Sequence, residues 1–155
     1  MFLLGPTVVY SASDLTAAAT CEWATMHRLD AKLGRVELPT LEDDDMLART
    51  AKLGDAHELR VLADLRATRN VVEIARPENP TEVEEVASQT SVAFDSGADV
   101  VYQAAFFDGR FLGYADFILR SDDGSYEVYD TKLARHAKIT RDRLAASVVS
   151  SEAVE

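Results

Sequence analysis

Cysteine occurs once in the 155 residues, at Cys21, so no internal disulfide can staple the fold. A lone thiol also fits a reducing compartment, and the expected localisation is cytoplasmic. Long apolar runs are missing as well. None approaches the ~20 residues of a membrane span, and no membrane partner is expected. The opening Met1–Pro6 is apolar but short, lacks a basic leader and is cut by proline. It reads as an extended lead-in and not as a signal peptide. No internal repeat and no low-complexity stretch occurs. Positive charge is scarce: 16 Lys and Arg stand against 27 Asp and Glu, for a net charge of −11. Proteins that hold nucleic acid usually present a basic face, so whole-chain charge speaks against that class. The acid is unevenly spread, however. Glu42-Asp43-Asp44-Asp45 and the 78–86 region carry much of it, while Lys132, Arg135, Lys138, Arg141 and Arg143 form a locally basic stretch. Local charge is the better guide to partners.

What remains is a globular composition, 47% apolar and 28% charged, long enough for one domain with its own core. The order reads helices first, then strands. Ser11-Ala12-Ser13-Asp14 is an N-cap signal leading into a helix that runs to about Leu33, closed by Gly34. A second helix is expected from about Asp44 to Ala67, weakened at Gly54. A short strand over Asn70–Ile74 follows, then a helix from Thr81 to about Asp95. Three strands come next: Val100–Phe107, Phe111–Leu119 and Tyr126–Lys132, the first two joined by an Asp108-Gly109 hairpin turn. The expected class is α/β with an α+β-like order: N-terminal helices, then a three-stranded meander covered on both faces.

Chemistry concentrates on the last two strands. In Tyr126-Glu127-Val128-Tyr129-Asp130-Thr131-Lys132, alternation places Tyr126, Val128, Asp130 and Lys132 on one face. On the neighbouring strand Asp116 interrupts an apolar run. Two acids on adjacent apolar strands repel unless a cation lies between them, and a hard ion such as Mg²⁺ or Mn²⁺ suits carboxylate oxygens. A lysine beside such a site can orient an attacking water and stabilise charge on phosphate. The plainer alternative is a surface Asp–Lys ion pair at a strand end. His57 shares a helix face with Leu53 and Val61, which fits a packed core histidine or a ligand. Glu58, about 100° round the helix, either supports the site or is simply solvated, the second being the plainer reading. Gln103 either satisfies a neighbouring backbone group or lines the site. Tyr114 shares Asp116's face and reads as packing. Cys21 reads as a buried helical cysteine and Trp23 as core.

Four segments in order carry a resemblance. Ser11-Ala12-Ser13-Asp14-Leu15 with Cys21, Gly54-Asp55-Ala56-His57-Glu58, Gly113-Tyr114-Ala115-Asp116 and Asp130-Thr131-Lys132 resemble the RecB-like branch of the PD-(D/E)XK nuclease superfamily, over roughly residues 8 to 138. The branch includes the RecB nuclease domain and CRISPR-associated RecB-like exonucleases. The resemblance implies a restriction-endonuclease-like core and a Mg²⁺- or Mn²⁺-dependent deoxyribonuclease, an exonuclease acting in DNA processing or repair. It makes Asp116, Asp130 and Lys132 catalytic. It assigns the metal to His57, Asp116, Asp130 and the Thr131 backbone carbonyl. Gln103, Tyr114, Arg135 and Lys138 become substrate-side candidates, and single- or double-stranded DNA the partner, with a helicase or further domains of a longer protein. Some members hold an iron–sulfur cluster through one early and three late cysteines. Cys21 matches the early one and the other three are absent, so a cluster is expected only in a longer form. The family's following helix carries Gln and Tyr, yet no glutamine follows Gln103 and no tyrosine follows Tyr129. Residues 1–139 thus read as the N-terminal part of a nuclease domain, incomplete at its C-terminus, and 140–155 as an atypical tail. A catalytically incomplete fragment, or a nucleic-acid- or partner-binding domain, is the alternative.

Overall fold

Strand pairing begins earlier than the residue pattern predicts. The computed structural model describes residues 1–39 and 44–132. Strand β1 (Phe2–Leu4) turns at Gly5, whose φ of +57° is a backbone conformation open to glycine, into β2 (Thr7–Ser11). The opening segment is therefore a hairpin arm and not a lead-in. The expected single helix up to Leu33 is two, α1 (Ala12–Thr20) and α2 (Glu22–Lys32), because Cys21 between them is extended at φ −155°, ψ 98°. The Asp14 carboxylate caps the start of α1, accepting from the Ser11 N–H at 2.8 Å and its hydroxyl at 2.7 Å. Cys21 is exposed, and Trp23 is 73% exposed, so neither is core.

Helix α3 (Asp45–Arg66) follows close to its expected limits, with the Asp44 carboxylate accepting from the backbone N–H groups of Met46 and Leu47. Then come β3 (Val71–Glu73), a short 3₁₀ turn (Pro80–Glu82), α4 (Val83–Asp95), β4 (Val100–Phe107), β5 (Phe111–Arg120) and β6 (Tyr126–Tyr129). Asp108 and Gly109 make the β4–β5 turn: the Asp108 carboxylate accepts from the backbone of Arg110 and Phe111, and Gly109 takes φ +95°.

The strands form one mixed open sheet in the order β1-β2-β5-β4-β3, with β6 also on β5. The expected meander of three is its antiparallel centre. Strands β2 and β3 add to it in parallel, against β5 and β4 respectively. Strand β2 pairs with the start of β5 (Tyr10 with Phe111, Ser11 with Leu112). Strand β6 pairs with its end (Phe117 with Tyr129 through Arg120 with Tyr126). Because β4 occupies the other edge of β5, β2 and β6 share one edge and leave Gly113–Asp116 between them.

Alternation sorts the core onto two faces. Ile74, Val101, Ala105 and Ile118 pack with Val86 and Ala93 of α4, while Val100, Tyr102 and Phe117 pack with Leu62 and Leu65 of α3. The sheet is thus covered on both sides, as its apolar strands require. No described helix is long and apolar enough to cross a membrane. Residues 140–155, Arg135 and Lys138 lie outside the described residues.

Candidate active site

The β4–β5 ladder lapses at one place. Tyr102 pairs with Phe117 and Ala104 with Ala115, but Gln103 and Asp116, which stand opposite each other between these pairs, are passed over. Gln103 has φ +56°, the left-handed region that a side chain occupies at a cost, and it is the one non-glycine residue there among those described. Its amide is buried and spans two charged groups. Nε2 donates to the Glu58 carboxylate at 2.5 Å, and Oε1 accepts from Arg76 Nη2 at 2.6 Å and Nε at 3.1 Å. Gln103 therefore satisfies side chains and not a neighbouring backbone group.

Asp116 gains its acidic neighbour from the register. Phe117 pairs with Tyr129, and the next step along both strands sets Asp116 beside Asp130. Strand β6 itself stops at Tyr129, short of the expected Lys132, so Asp130 and Lys132 follow the strand instead of lying in it. Lys132 Nζ bonds the Asp130 carboxylate at 2.7 Å. Burial pushes the Asp116 carboxyl up to about 6, helped by a shared hydrogen bond with Asp130 and the negative charges of Glu58 and Asp130. Asp130 moves the other way. Its partial burial opposes ionisation, but hydrogen bonds from Lys132 and Asp116 outweigh this and hold it below the usual carboxylate range. Below about pH 6 the pair thus divides into a proton-holding acid and an ionised one, the arrangement of two carboxylates sharing one proton. Lys132 is held protonated above its ordinary range by its bond to Asp130.

Helix α3 brings the third acid. Glu58 is half-buried, reached by the Gln103 amide and felt by Asp116, so it is part of the site and not a solvated residue. Tyr102 is pushed up to about 12 by burial and then by the hydrogen bond and charge of Glu58. Beside these groups opens a cleft of about 660 Å³, whose lining includes Asp55, Glu58, Glu73, Arg76, Tyr102 and Gln103. Tyr114 packs into the core and carries the Arg76 guanidinium over its ring, 4.7 Å from the centroid.

The residues expected from the sequence are thus partly assembled. Asp116, Asp130 and Lys132 meet, with Gln103 opposite Asp116 and Tyr114 one turn of the pleat away. His57 is buried at 3% exposure with Nε2 unpartnered among the described residues, but the Leu53 expected to share its packed face is 59% exposed. A buried ring nitrogen without a partner is costly and marks a place where a ligand would be favourable. Two adjoining carboxylates likewise have the donor chemistry a hard divalent cation takes. Among the described residues, however, no three His, Cys, Asp or Glu side chains stand close enough to hold a metal ion. Cys21, exposed and the single cysteine of the chain, does not fit a four-cysteine iron–sulfur cluster. Residue reasoning missed Arg76 and Tyr102 and, for Glu58, leaned to solvation over support of the site. The Arg76-Pro77 step after an apolar strand was the available signal for the first. The chain matches no protein-family model, no curated protein and no solved structure at a significant level.

Proposed function

We propose that the chain is a RecB-like nuclease of the PD-(D/E)XK superfamily, with a restriction-endonuclease-like core, hydrolysing DNA phosphodiester bonds. The observation that carries this reading is the convergence of Asp116 and Asp130 from separate segments, with Lys132 fixed on Asp130. On this reading His57, Asp116, Asp130 and the Thr131 carbonyl, whose side chains do not stand close enough together among the described residues, would have to draw in around Mg²⁺ or Mn²⁺, which would supply charge neutralisation at phosphate and acidify a bound water. Asp130 stays ionised and anchors Lys132. Lys132 stays cationic and faces charge building on the phosphate oxygens. Glu58 and Gln103 fix the floor between the acids and the cleft. No step is assigned to an iron–sulfur cluster.

Cleavage of single- and double-stranded DNA with Mn²⁺ tests this. Asp130→Ala and Lys132→Ala are each expected to lower the rate by about a hundredfold or more; unchanged cleavage in both sinks the site. The missing third ligand favours a second reading, a nucleic-acid- or partner-binding domain without catalysis. Added Mn²⁺ should raise the melting temperature of a chain that forms the metal site. No shift and no cleavage would select the second reading.

A further inference from the structure

Among the described residues, the cleft beside the acids holds one cation that the catalytic reading does not use. Arg76 follows β3, is exposed, and lines the cleft with Gln103 and Tyr102. Its guanidinium is held on two sides: over the Tyr114 ring, 4.7 Å from the centroid, and by two donations to the Oε1 of buried Gln103. Both supports are uncharged. No ion pair joins Arg76 to a carboxylate among the described residues, whereas two of the cleft's three acids have other partners. Glu73 pairs with Arg66, and Glu58 accepts from the Gln103 amide; Asp55 is left. Nε and one N–H of Nη2 are used, which leaves three of the five guanidinium N–H donors without a protein partner among the described residues.

A planar cation held on two sides, with no carboxylate partner among the described residues and with donors to spare, is suited to a phosphate. The strain at Gln103 has a use in this light. Its left-handed backbone lets one amide hold Arg76 and Glu58 at once, tying the cleft to the acidic pair. We propose that Arg76 is the residue through which the cleft takes a backbone phosphate of a nucleic-acid strand, with Gln103 and Tyr114 positioning it. This rests on the nuclease reading of the adjoining acids.

Fluorescence anisotropy with a labelled single-stranded oligonucleotide and its duplex, in EDTA across a salt series, tests the proposal apart from cleavage. Arg76→Ala should weaken binding about tenfold, the loss of one charged hydrogen-bonding group, and reduce the slope of log K against log salt by about one. Arg76→Lys keeps the charge and loses the fork, so it should weaken binding while preserving the slope. It decides the matter if the alanine variant fails to fold. Arg69→Ala removes the same charge from an exposed site outside the cleft and should stay within about twofold of wild type, as one distant, screened charge does. The proposal is overturned if Arg76→Ala binds with unchanged slope, if Arg69→Ala loses as much, or if the wild type binds neither strand. Cleavage with Mn²⁺ is read separately. Arg76-dependent binding without cleavage removes the nuclease reading and leaves the phosphate site; cleavage indifferent to Arg76 does the reverse.

Discussion

Between Val100 and Tyr102 the β4–β5 hairpin is apolar, regularly paired and packed on both faces. One residue further, where Gln103 stands opposite Asp116, it is polar and its regular pairing lapses, although Gln103 is buried. Both stretches belong to the same two strands, and the apolar pattern on either side is alike. In the first, each side chain finds an apolar partner on α3 or α4. In the second, a positive φ, a lapse in pairing and an acid with a raised pKa coincide at one step of the ladder. Regular pairing stabilises the sheet, and the departure from it is where charged groups from α3, β3 and the end of β6 can gather. Strained backbone and perturbed carboxylates cluster at functional sites for this reason.

Mutation of adjacent residues can break this comparison. Phe117 is 1% exposed in the regular stretch, and Phe117→Ala should cost about 3–5 kcal/mol in urea unfolding, the transfer and cavity terms of a core aromatic. Its neighbour should respond with the opposite sign. Asp116 rises from 3.8 to about 6 on folding, so the folded chain holds a proton that the unfolded chain releases. That contribution is fully present below about pH 4 and is lost as pH rises through 6. Asp116→Asn should therefore stabilise the metal-free protein at pH 7, by about 1 kcal/mol once solvent screening of a half-exposed carboxyl is allowed for. The gain should vanish near pH 4. Melting curves at both pH values check it, and a destabilised Asp116→Asn at pH 7 would remove the contrast. The backbone term is of similar or smaller size. At Gln103 the glycine variant should exceed the alanine variant by about 1 kcal/mol, reversing the order expected inside a regular strand. Equal stabilities would mean that the lapse carries no strain.

The centre of the fold was legible from the residues. Strand β4 falls on its expected limits, and β5 extends one residue past them, because alternation and the Asp108-Gly109 turn are local signals. Helix α3 was legible for its cap and its length. Strands β1 and β2 were not. Segments of three and five residues on either side of Gly5-Pro6 carry too little pattern to separate from a lead-in. The break at Cys21 has neither glycine nor proline to announce it. Helices α1 and α2 bury no residue, so the exposure of Trp23 depends on what packs there and not on its own hydrophobicity.

The same division runs through the site. Sequence alone brings Asp116 and Asp130 side by side, because antiparallel register is fixed once the strands and turn are known. It also puts Lys132 within reach of Asp130, two residues away. Glu58 and Arg76 could be placed only by the tertiary fold: they meet Gln103 across 45 and 27 residues of chain. Local spacing says nothing about such contacts. They exist because α3 packs on the sheet and β3 runs beside β4, which sets both residues next to the one amide whose strained backbone lets it hold them.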